Sequence, residues 1–166
     1  MATTSGKQDL REACVAEALA IIDQHGLERL SLREVARRLG VSHQAPYKHF
    51  PSRDHILAEI VARAFTSFAR HLDAHLVGDD PDTRMGNMGR AYLAYAHQHP
   101  LQYRLMFGTA LPNAREHPRM MAEAKHAFDL LRAALERKAK HAGRRASRDQ
   151  ILLDAMFIWS GLHGLA

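Results

Sequence analysis

The chain has 166 residues, of which 46% are hydrophobic and 25% charged, and a formal net charge of +5. That length closes one core or two small ones sharing an interface, and the composition is that of an ordinary globular protein. The single cysteine, Cys14, excludes an internal disulfide and reads as a small buried helix residue, which fits a reducing compartment. The opening Met1–Lys7 is short and polar, unlike a signal peptide. The most apolar run, ILLDAMFIWSGLHGLA, contains Asp154 and is too short to span a bilayer, so the chain is expected in the cytoplasm.

Taken in chain order, all periodicity is helical and no strand-like alternation occurs, so the expected class is all-α. Leu10, Cys14, Ala18, Ile21 and Ile22 mark one face of a first helix that stops near Gly26. Ser31 and Glu34 form an S-x-x-E box that opens a second helix at Leu32, and Gly40 supplies a left-handed turn. A third helix is expected from a Ser42 cap to Phe50. Ser52 caps a long fourth helix with Ile56, Ile60, Val61, Phe65, Phe68, Leu72 and Leu76 on one face. Asp80 caps a fifth helix with Pro81 in its first turn, and Pro100 separates it from a short sixth helix, LQYRLMF. The stretch GTALPNAREHP reads as a loop. A seventh helix carries Met121, Ala124, Phe128, Leu131 and Leu135 and stops near Gly143. Ser147 and Gln150 open an eighth that is apolar on nearly all sides and is expected to be buried all round. The chain stops at Ala166 in mid-pattern, and part of its C-terminal end is expected to be missing.

The charge is unevenly placed. Residues 1–28 carry Lys7 and Arg11 against Asp9, Glu12, Glu17, Asp23 and Glu28, a net −3. Residues 29–53 carry Arg29, Arg33, Arg37, Arg38, Lys48 and Arg53 against Glu34 alone, a net +5. Within that basic stretch, Ala36 and Gly40 have the spacing at which a helix-turn-helix brings its helices together. A short helix after such a turn projects its first side chains into a major groove, where His43, Gln44 and Lys48 are available to face base edges. Tyr47, His49 and Arg53 carry donors suited to phosphate oxygens. The competing reading is an αα-corner in which Tyr47 and Phe50 simply pack.

The run LREVARRLGVSHQAPYKHFPSRDHIL resembles the DNA-binding domain of the TetR (tetracycline-repressor-like) transcriptional regulators, through Ala36, Gly40, Val41, Ser42, Tyr47, His49, Phe50 and Ser52, with Arg53 where lysine is usual. WSGLHG, Trp159 to Gly164, is similar to the Trp-x-x-x-His-Gly signature of one branch of that family. The resemblance implies a three-helix reading head over residues 8–53, joined by the long helix to a ligand-binding and dimerising helical domain over 54–166. It further implies a homodimer on a palindromic double-stranded DNA operator, repressing until a small-molecule effector binds. By the same analogy Ser42, Tyr47, His49 and Arg53 hold phosphates, while His43, Gln44, Lys48 and Arg33 read bases. Met88, Tyr92, Tyr95, Met106, Phe107, Phe128, Trp159 and His163 are the candidate effector-pocket residues, though large apolar residues at helical spacing mostly read as plain core.

Pro46 departs from the commonest pattern of the family, which has a branched aliphatic residue there. Proline suits only a helix's first turn. If His43 is the cap, Pro46 loses nothing; if Ser42 is the cap, one helical bond is lost. No phosphate loop, nucleophile elbow or paired carboxylates point to an enzyme, and no cofactor is expected. His71 and His75 have the i, i+4 spacing of a helical metal pair but lack a third ligand at a motif spacing, so a metal-responsive regulator is a minor alternative. A second basic block, RKAKHAGRRASR at 137–148, reads as a solvated helix end and loop. The other alternative is an interaction module that binds protein through this block.

Overall fold

The computed structural model describes residues 3–166, with side chains from Asp9 onward, and every described element is helical. The chain divides into two compact units. One comprises the residues up to Val61 with Ala110–His117; the other comprises Ala62–Thr109 and Pro118–Ala166.

In the first unit, α1 (Thr3–His25) is followed by a 3-10 turn at Leu27–Arg29, then α2 (Leu32–Leu39), a second 3-10 turn at Pro46–Lys48, and the opening turns of α3 (Arg53–Ala74). Cys14, Ala18, Ile21 and Ile22 of α1 are buried together with Leu30, Leu32, Val35, Ala36, Phe50, Ile56, Leu57, Ile60 and Val61. Ser31 Oγ accepts the Glu34 N–H at 3.1 Å, but the Glu34 carboxylate turns outward to arginines, leaving the expected box one-sided. Gly40, at φ 65°, closes α2 in the left-handed conformation. Ser52 Oγ accepts the His55 N–H at 3.4 Å and so caps α3.

The expected third α-helix is not formed. Pro46 has no N–H to give the Ser42 carbonyl, and that carbonyl accepts Ala45 N–H at 2.9 Å instead. The chain continues through short-range bonds from Lys48 N–H to Ala45 and from His49 N–H to Pro46, as a 3-10 turn. Neither Ser42 nor His43 acts as a helix cap here.

The stretch expected as a plain loop has a definite place. Asn113 closes it on itself, its carbonyl accepting the N–H of Glu116 and His117 and its Oδ1 that of Arg115. His117 is 7% exposed, its ring edge-on to His55 at 4.9 Å, and His55 Nδ1 shares a 2.8 Å hydrogen bond with Ser52 Oγ.

The second unit holds the rest of α3 with α4 (Pro81–Gln98), α5 (Pro100–Phe107), α6 (Pro118–His141) and α7 (Arg148–Leu165). Asp80 caps α4 by accepting from Asp82 and Thr83, and Ser147 caps α7 by accepting from Gln150. Phe65, Phe68 and Leu72 of α3 are buried with Met88, Tyr92, Leu105, Met106, Met120, Leu131 and Ile151 of the same unit. The expectation of all-round burial for the last helix does not hold. Only Ile151 and Ala155 of α7 are buried, while Leu153 is 61% and Phe157 81% exposed. The unit has too few elements beside α7 to cover more than one side of it. No described helix is long and apolar enough to cross a membrane.

Candidate functional site

The segment Ser42–Phe50 is anchored by two residues and open on the rest. Pro46 and Phe50 are buried, His49 is half-buried, and Ser42, His43, Gln44, Tyr47 and Lys48 are exposed. The 3-10 turn brings Tyr47 and Lys48 out together, because the residues that can anchor it are its first, Pro46, and the one that follows it, Phe50. Tyr47 thus does not pack as an αα-corner would require. Arg33, on α2, is also exposed.

Ion pairing thins the positive charge counted over 29–53. Glu34 grips Arg37 through two bonds of 2.8 and 2.7 Å and reaches Arg38 at 3.2 Å. The Arg37 guanidinium holds the Glu34 carboxyl down at about 2. Arg38 also meets Glu17 at 3.2 Å and Gln24 at 2.9 Å. Arg53 donates to the carbonyls of Leu30 and Leu27 and lies 3.6 Å from Asp54. Arg29, Arg33 and Lys48 are left exposed without a carboxylate partner among the described residues. A 430 Å³ surface cleft at Arg29 is lined with it by Ile21, His25, Ser31 and Glu34.

In the second unit the eight candidate pocket residues divide by burial. Met88, Tyr92, Tyr95 and Met106 are buried, whereas Phe107, Phe128, Trp159 and His163 are partly covered. Their rings meet edge to face around Phe68 and Trp159, with Phe107 on His163 at 4.4 Å and Phe128 on Trp159 at 5.3 Å. Polar atoms form one chain inside this cluster: Tyr103 Oη lies 3.1 Å from Tyr92 Oη, which also bonds His163 Nδ1. Burial raises the Tyr92 hydroxyl and lowers the His163 imidazole from their ordinary ranges. His71 and His99 flank Tyr95, and His75 meets His71. Among the described residues no group of three or more His, Cys, Asp or Glu side chains is placed to hold a metal ion.

Two family models match the chain. Residues 15–60 match "Bacterial regulatory proteins, tetR family", and residues 85–166 match "Tetracyclin repressor-like, C-terminal domain". The chain belongs to the TetR family of transcriptional regulators. It is 27% identical over 154 residues to the uncharacterised HTH-type transcriptional regulator Rv0681 of Mycobacterium tuberculosis, covering 93% of this chain and 67% of that one. It is 28% identical over 119 residues to the HTH-type transcriptional regulator Rv1816 of the same organism, covering 68% of this chain and 51% of that one. The chain thus spans between half and two thirds of the length of these relatives. The crystal structure of the TetR-family transcriptional regulator PfmR from Thermus thermophilus shares the fold, with a TM-score of 0.69 over 92% of this chain and 83% of that one at 23% identity. Both family models and these relatives are described as regulators of transcription, not as enzymes.

In this TetR-family chain the sequence reading missed Arg11 and Glu59. Arg11 pairs with the buried Glu59 and lies over the Phe50 ring. A signal was present: Glu59 stands in the apolar run Ile56–Val61, and a carboxylate there needs a partner. The partner itself, 48 residues away, was not legible.

Proposed function

We propose that this chain is a repressor that binds a palindromic double-stranded DNA operator as a homodimer in the cytoplasm and is released by a small-molecule effector. The observation that carries the reading is the exposed polar edge of His43, Gln44, Tyr47 and Lys48 set on buried Pro46 and Phe50. Arg29 and Arg33 lie beside it in sequence with their charge uncompensated. His43, Gln44, Lys48 and Arg33 read bases; Ser42, Tyr47, His49 and Arg53 hold phosphates. Residues 8–53 form the reading head and 54–166 the effector and dimerisation domain. A single such turn touches only a few base pairs, so two copies are needed to mark one site. The exposed apolar side of α7 supports pairing through that helix.

The effector enters among Met88, Tyr92, Tyr95, Met106, Phe107, Phe128, Trp159 and His163, where the Tyr92 and Tyr103 hydroxyls and the His163 imidazole form a hydrogen-bonded polar chain. A ligand there acts only if it binds the DNA-incompetent arrangement more tightly, and α3, shared by both units in sequence, is the element it moves. The test is enrichment of duplexes from a random pool by the purified protein. Gln44→Ala should relax base choice at one position in each half-site, by about 1–3 kcal/mol per lost bidentate contact. Enrichment of no sequence by the wild-type protein would refute the operator reading.

A further inference from the structure

Glu59 is 8% exposed within the apolar inner face of α3. A buried carboxylate persists only where a partner compensates its lost hydration. Arg11 of α1 is one such partner: its Nη2 lies 2.8 Å from Oε2, and its Nη1 donates to Oε1 at 3.4 Å while also lying 3.5 Å from Glu12 Oε1. The same guanidinium lies over the Phe50 ring, with 5.2 Å from its central carbon to the ring centroid. Phe50, 3% exposed, ends the segment that carries His43, Gln44, Tyr47 and Lys48, and its N–H donates to the Pro46 carbonyl at 2.9 Å. Lysine cannot replace this arrangement, since it has neither a two-pronged edge nor a plane to stack.

We infer that Arg11 is a positioning residue for DNA recognition: it pairs with Glu59 and lies over the Phe50 ring, and so sets the angle at which the recognition turn meets the groove. The inference rests on the DNA-binding reading above. A 3-10 turn has few hydrogen bonds of its own and poorer geometry than an α-helix, so its orientation depends on its anchors. Pro46 and Phe50 are those anchors, and Arg11 is the group that holds the second. Base-edge contacts tolerate little misplacement, so loosening Phe50 costs recognition before it costs general attraction to DNA.

The experiment uses Arg11→Lys and Arg11→Met in the full chain. Folding is followed by circular dichroism, and affinity is measured over a salt series for a duplex enriched by the wild-type protein and for a scrambled duplex. Both variants should fold and bind the enriched duplex roughly tenfold more weakly, within the range for coupled neighbours. Affinity for the scrambled duplex and the salt slope should not change. An equal loss on both duplexes with the slope flatter by about one makes Arg11 a phosphate contact and overturns the inference. A lower melting point with unchanged preference for the enriched duplex overturns it as well. If neither variant folds, Phe50→Leu, which keeps the ion pair and an apolar plug, should show the same loss of preference, and unchanged preference there is equally fatal. A wild-type protein that enriches no duplex overturns the DNA-binding reading itself. The inference alone fails when the wild type enriches one and the variants match it.

Discussion

Arg53 and Leu27, 26 residues apart, are joined by a 2.8 Å hydrogen bond from Nη2 to the Leu27 carbonyl. The Arg53 Nε donates to the Leu30 carbonyl at 3.1 Å, so one guanidinium satisfies the 3-10 turn between α1 and α2 from the start of α3. Two of its nitrogens are thereby occupied, and its Nη1 is the part left beside Asp54. Arg53→Ala should therefore destabilise the protein by about 2 kcal/mol, since charged donors to carbonyls are the stronger class of hydrogen bond. Arg53→Lys should recover less than half of that, having one point of attachment. Urea unfolding measures both. The proposed phosphate role would add a flattening of the salt slope by about one.

Pro46 determines that the recognition segment is a 3-10 turn. Pro46→Ala restores an N–H four residues beyond the Ser42 carbonyl and should convert residues 43–49 to about two turns of α-helix. The new amide should then be protected from hydrogen exchange, and the enriched operator sequence should change, because His43 and Gln44 would project differently. The variant should lose about 0.4–1 kcal/mol through its more flexible unfolded chain. An unprotected amide at position 46 would show that the turn is held by its tertiary anchors alone.

Phe157 is 81% exposed on the apolar side of α7. Phe157→Glu should leave the circular dichroism spectrum unchanged and convert the proposed dimer to a monomer at micromolar concentration, read by sedimentation. Operator affinity should fall with it, because each monomer then binds with one head. A variant that sediments as the wild type does would place the contact elsewhere.

His163 and His71 are both held below the ordinary imidazole range, in each case chiefly by burial, with His75 adding to the effect at His71. The folded protein keeps them neutral where the unfolded chain, with histidines near pH 6.5, takes up protons. The unfolded state then binds more protons, so stability is full above about pH 7 and falls as pH drops below about 6.5. It levels off once the pH is below the folded values. His163→Gln should reduce this acid sensitivity, measured as the change in urea midpoint between pH 7.5 and 5.5. An undiminished slope would assign the effect to the other histidines.

Much of this protein is decided by neighbours in sequence. The Ser31 and Asp80 caps, the glycine turn at Gly40 and the breaks at Pro81 and Pro100 act within a turn of helix. The spacing of Ile56, Ile60, Phe65 and Phe68 needs only the helical period. The family motif is equally local, with Ala36, Gly40, Tyr47 and Phe50 inside one short run. Other features depend on chain segments that meet only in the folded molecule. The segment Ala110–His117 joins the first unit through His117 against His55, and nothing in its own composition says so. Positive charge counted along residues 29–53 is partly cancelled by Glu17, from another helix, and Arg53 is turned inward to backbone carbonyls. Arg11 could be placed over Phe50 only once α1 and the turn before α3 met in the folded chain. Helix formation and capping are short-range because their hydrogen bonds close within four residues. Pairing of a buried charge has no such limit, since its energy depends on distance in space and on excluded water, which tertiary packing alone sets.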